Sequence, residues 1–136
     1  MIALTAYIAY LSRGTVVGKG GTDQGLVPVL APQPANIAAG NAVYDAKCSA
    51  CHAANGAGVG TFPPLWGSKS FNDGAGMHRA ATMAAFVRYN MPFGAPPNTL
   101  SAQQAVDVTA FVLSHSRPAF DKTAIIQFPS EPASFF

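Results

Sequence analysis

The chain has 136 residues, of which 10% are charged and 49% hydrophobic, with 13 Gly and 11 Pro. That length holds one domain with an additional arm and is enough to close a core around a large apolar group. A net charge of +2 without any run of Lys or Arg is too weak to argue for nucleic acid, which is not expected as a partner, and no window reaches the roughly 18–20 apolar residues of a membrane span.

In chain order, Leu4, Tyr7, Ile8 and Leu11 recur at i, i+3, i+4 and i+7 and predict a helix over residues 4–13, with Arg13 in its last turn and Gly14 as a left-handed stop. Residues 15–34, rich in Gly, Val and Pro, read as a linker lying along a surface. A second helix is expected from about Asn36 to Lys47. The loop after it, from Ala53 to Ser70, is punctuated by Gly56, Gly58, Gly60, Pro63, Pro64 and Gly67. A third helix is expected from about Met77 to Tyr89, where Ala81, Ala84, Ala85 and Val87 allow close packing; Asn90 and Pro92 end it. The last begins at Ser101, whose hydroxyl can cap it with Gln104 completing the box, and stops before Pro118. The expected layout is therefore all-α: an arm over 1–34, a domain over 35–118 and an extended tail over 119–136.

One internal similarity stands out. Leu4-Thr5-Ala6-Tyr7-Ile8 matches Val108-Thr109-Ala110-Phe111-Val112, and Ser12-Arg13 matches Ser116-Arg117 at the same offset. Read as a repeat, it makes the opening helix the closing helix of an upstream domain. The start of the chain also lacks a positively charged segment and a small-residue cleavage site, so the chain is expected to be a processed product or a piece of something longer.

The chemistry concentrates in Cys48-Ser49-Ala50-Cys51-His52. Two thiols three residues apart can each add to one vinyl group of the same porphyrin, and the adjacent imidazole then takes the iron from one side. A zinc site would need two further ligands nearby, and the chain has no other cysteine. A thioredoxin-like dithiol would need a preceding strand and a βαβ pattern, and neither is visible. The expected cofactor is thus one covalent haem c (heme c) attached through Cys48 and Cys51, which implies a periplasmic or other extracytoplasmic location.

The iron's other side needs a ligand. Met91, followed by Pro92 in a loop between two helices, is the favoured candidate, with Met77 as runner-up. Met83 sits mid-helix and reads as core packing. His78 reads as solvated or facing a haem carboxylate, and His115 as an imidazolium suited to a helix C-terminus. A ligating imidazole usually gives its other N–H to a backbone carbonyl, and Pro64 is expected to supply it. Trp66 reads either as a ring packed on the haem edge, reaching a propionate through its indole N–H, or as simple core. Arg79 and Arg88 read as propionate partners or as surface charges.

These residues resemble the class I cytochrome c family. Gly40 and Tyr44 look like the small-then-aromatic pair with which that family's first helix crosses its last, with Phe111 as partner; Cys48, Cys51, His52, Pro64 and Met91 match its haem positions in order. More narrowly, Phe62–Gly67, Ser70–Met77 and Asn90-Met91-Pro92 resemble the second haem domain of diheme thiosulfate dehydrogenases and related sulfur-oxidation cytochromes, and residues 4–14 the end of their first domain. The resemblance implies a single-electron relay between redox protein partners, with an upstream haem domain or neighbouring subunit. It also implies that in such proteins the chemistry sits at the first haem, whose iron carries a cysteine ligand. This chain has no third cysteine, and Asn90 stands where some relatives carry lysine.

Overall fold

Two helices crossing at a glycine organise the fold. The computed structural model describes residues 2–11, 13 and 27–121; Gly14, most of the linker (residues 14–26) and the tail beyond 121 lie outside them. Five α-helices appear among the described residues, α1 (Ile2–Leu11), α2 (Ile37–Lys47), α3 (Ser49–His52), α4 (Ala80–Asn90) and α5 (Ala102–Leu113), with a 3₁₀ turn at Gly76–His78 and no strand. None of them is long and apolar enough to cross a membrane.

Two helices start at side-chain caps. Asn36 caps α2 by accepting a hydrogen bond from the Ala39 amide. At α5 the Ser101 hydroxyl accepts from the Gln104 amide while the Gln104 side chain accepts from the Ser101 amide, closing the expected box. The third predicted helix differs: its start is a separate 3₁₀ turn, and Arg79, in extended backbone, separates it from α4. Across that break Met77 and Met83 reach the same cavity from different elements, Met77 half-buried in the turn and Met83 buried in α4.

Helix α2 lies directly on α5. A methyl on Gly40 would collide with the Asp107 carbonyl and come within 2.9 Å of Phe111 Cβ, so only glycine permits this approach. One turn on, Tyr44 is fully buried, its ring 5.4 Å from that of Phe111. Asp107 ties the entrance of α2 to α5, its carboxylate accepting from the Asn36 amide at 2.8 Å and from Gln103 Nε2 at 2.8 Å. Tyr44, Met83, Leu100, Val108 and Val112 form the apolar core. Helix α1 is formed as its spacing predicts, but Leu4, Tyr7 and Tyr10 are exposed.

Candidate functional site

Helix α2 ends at Lys47 and α3 begins at Ser49, so Cys48 stands at the junction while Cys51 and His52 fall within one helical turn of it. The amides of Cys51 and His52 both donate to the Cys48 carbonyl, at 3.1 and 2.9 Å, which fixes the three side chains relative to one another. Both cysteines are free thiols. Burial, and then the neighbouring Cys51, pushes the Cys48 thiol up to about 11, so it is held protonated at neutral pH.

The loop that follows is bent back beneath the histidine. Gly58 adopts a left-handed φ of +79°, and a side chain there would meet the Phe62 carbonyl and the Pro63–Pro64 peptide. The close approach places the Pro63 carbonyl 2.9 Å from His52 Nδ1. The acceptor is therefore Pro63 and not Pro64, as the sequence had implied. Either proline lacks an N–H, so the chemistry does not separate them; the path of the loop around Gly58 does. The two residues share one peptide unit, with Pro64 supplying its nitrogen. Tyr44 completes the support, its hydroxyl donating to the Ala53 carbonyl at 2.7 Å.

His52 opens on a cavity of about 640 Å³ whose walls include Cys48, Cys51, Pro64, Leu65, Phe71, Met77, Met83, Val87, Met91, Val108 and Val112. That volume lies within the ~300–1,000 Å³ of small-molecule and cofactor sites. Met91 caps the C-terminal end of α4, its amide donating to the Val87 carbonyl. With Nδ1 occupied by the Pro63 carbonyl, His52 has Nε2 left for a metal. Two thiols, one imidazole with a free nitrogen and a thioether thus share a largely apolar chamber, a donor set that fits covalent haem. Tyr44, at the cavity's base, is pushed up to about 12 by burial first, with Cys48 and Asp45 adding.

Trp66 is not a cavity wall. It stacks on His115 with ring centroids 4.0 Å apart and packs against Tyr44 at 5.0 Å. Gly56, buried beneath it, leaves room for the indole. His115 Nδ1 donates to the Phe111 carbonyl, 2.8 Å away. Arg79 is exposed and Arg88 is turned to Asn98 Oδ1 at 3.0 Å; neither lines the cavity. The cations that do are Lys47 and Lys69, and Phe93 stands at the cavity 81% exposed. Sequence reasoning passed over these three because isolated lysines and loop phenylalanines carry no spacing signal.

Comparison with known proteins agrees with this geometry. The family profile of cytochrome c matches residues 37–116. The chain is 42% identical over 128 residues to a thiosulfate dehydrogenase of Allochromatium vinosum, an alignment covering 90% of this chain and 47% of that protein. It is 44% identical over 122 residues to a thiosulfate dehydrogenase of Stutzerimonas stutzeri, covering 85% and 39%. Among solved structures it is similar to the thiosulfate dehydrogenase TsdBA of Marichromatium purpuratum, with a TM-score of 0.71 and 38% identity over 88% of this chain and 28% of that one. It is also similar to the sulfane dehydrogenase SoxCD of Paracoccus pantotrophus, with a TM-score of 0.54 and 26% identity over 73% of this chain and 58% of that one. The chain spans less than half the length of these curated relatives.

Proposed function

The chain belongs to the cytochrome c family, and from that premise we propose that it relays single electrons in the oxidation of sulfur compounds, its iron held between His52 and Met91. The observation that carries this reading is the shared chamber: His52 faces a cavity that Met91 also lines, and its ring is pinned from behind by the Pro63 carbonyl. Haem c supplies one-electron exchange between ferric and ferrous iron. Cys48 and Cys51 would hold it as thioethers, after which neither thiol titrates. His52 would bind the iron through Nε2, and the Met91 sulfur would favour the ferrous state relative to a nitrogen or water ligand. Val87, Val108 and Val112 keep the chamber dry, so little reorganises when charge changes.

Sulfur oxidation as the setting rests on the relatives, which are thiosulfate and sulfane dehydrogenases. Both cysteines of this chain belong to the haem motif, which leaves no thiolate for sulfur chemistry and supports a relay serving a separate catalytic haem domain or subunit. Covalent haem attachment supports a periplasmic location. Residues 1–34 are read as an arm belonging to that upstream partner, residues 35–118 as the haem domain and the remainder as a tail.

Two measurements test the reading. In the oxidised protein the weak sulfur-to-iron band in the far red is expected to vanish in Met91→Ala and to persist in Met77→Ala and Met83→Ala; the reverse pattern would reassign the ligand. The purified chain is expected to exchange electrons with small mediators without turning over thiosulfate. Steady thiosulfate oxidation by this chain alone would overturn the relay.

A further inference from the structure

We propose that Arg117 raises the reduction potential of the haem site by holding a full positive charge, with no carboxylate partner among the described residues, immediately behind the cavity wall formed by Leu65, Phe71 and Val112; this rests on the haem reading above. The placement comes from four observations. Arg117 Nη2 donates to the Val112 carbonyl at 2.8 Å, and Nη1 to the Leu65 carbonyl at 3.4 Å. The guanidinium carbon lies 4.4 Å from the centroid of the Phe71 ring. Nε is buried without a partner. Leu65, Phe71 and Val112 are all cavity walls, so the cation is separated from the cavity by one layer of side chains.

Among the described residues, nothing that holds this cation neutralises it. Two carbonyl dipoles, one of them in the last turn of α5, and the face of an aromatic ring orient a guanidinium but carry only partial negative charge. Burial lowers the Arg117 pKa, yet a guanidinium keeps its proton at any ordinary pH. Taking up one electron lowers the charge of the haem site by one, and a nearby fixed cation favours that state. Because the charge is partly shielded from water, mobile ions screen it less than they screen a surface lysine. Lys69 is the natural contrast, since it also borders the cavity but is exposed.

The rival role is a clamp that ties the end of α5 to the loop at Leu65. A clamp would affect folding and leave the potential alone. The test is spectroelectrochemical titration of haem-loaded Arg117→Gln, Arg117→Lys and Lys69→Gln proteins at low and at ~1 M salt. Arg117→Gln is expected to shift the reduction equilibrium toward ferric iron by about tenfold, the scale of one unit charge at an effective dielectric constant of ~20 across a side-chain layer, or ~59 mV for one electron. Arg117→Lys should retain most of the wild-type value. The Arg117→Gln shift should survive 1 M salt, whereas any Lys69→Gln shift should fade.

An unchanged potential in Arg117→Gln, an equal shift in Arg117→Lys, or a shift lost at 1 M salt would each overturn the proposal. Should Arg117→Gln fail to load haem, Arg117→Met, which keeps the packed stem, serves as the neutral variant. Failure of both neutral variants beside a fully loaded Arg117→Lys would establish the clamp. The far-red sulfur band, recorded on every sample, separates failure of this proposal from failure of the haem assignment.

Discussion

Helices α1 and α5 carry nearly the same run of residues and have opposite fates. Val108 and Val112 of α5 are 2% and 5% exposed, whereas Leu4, the counterpart of Val108, is 64% exposed. Phe111 packs on Tyr44, while its counterpart Tyr7 stands in solvent. Even the trailing arginines differ: Arg117 reaches across the fold to Phe71, and Arg13 lies over Tyr10 of its own helix, 5.6 Å from the ring centroid. An amphipathic stripe specifies that a helix will seek a partner, and only a facing surface such as the one cut by Gly40 decides whether it is buried.

The difference can be broken most forcefully at the crossing. Gly40→Val would drive a side chain into the Asp107 carbonyl and is expected to cost on the order of 3 kcal/mol, with haem yield falling in parallel; denaturant unfolding and pyridine haemochrome assay read both. Truncating the buried stripe itself is milder. Val108→Ala should cost about 2 kcal/mol in thermal or denaturant unfolding.

Tyr44→Phe sharpens the comparison through pH. The native Tyr44 is pushed up to about 12 by burial, above the ~10 of an unfolded tyrosine. Its contribution is complete below pH ~10 and is lost as pH rises toward 12, because the unfolded chain releases the proton first. The variant should lose about 1 kcal/mol at neutral pH with the hydrogen bond to Ala53, and its stability should fall less steeply across that alkaline window. The smallest effect is expected at Leu4→Ala, within ~0.5 kcal/mol of wild type. A loss matching that of Val108→Ala would show that α1 is packed within this chain, and the contrast between the helices would fail.

What could be read from the sequence was whatever is encoded within one turn or one motif. The haem-motif spacing, the Ser101–Gln104 box and the Gly40–Tyr44–Phe111 crossing each depend on residue type at a fixed offset, and the box and the crossing stand in the structure where they were expected. Features set by chain path were not legible. Pro63 and Pro64 are equivalent as isolated carbonyls until Gly58 brings one of them under His52. Trp66 was drawn into the core by His115, a ring 49 residues away whose proximity no local pattern encodes. The break at Arg79 likewise lacks a sequence mark, since Ala80 and Ala81 would continue a helix in either direction.

The Pro63 carbonyl gives the site a particular form of mutational tolerance. The acceptor that orients His52 belongs to the main chain, so no exchange of side chain removes it, and many residues at positions 63 and 64 would still present an oxygen to the ring. Vulnerability is displaced to Gly58, whose amide donates to the His52 carbonyl at 2.9 Å and whose lack of a side chain alone permits the loop to pass so close. Evolutionary drift at this site should therefore be wider at the residue whose carbonyl meets the ring and narrower at the glycine that lets the loop through.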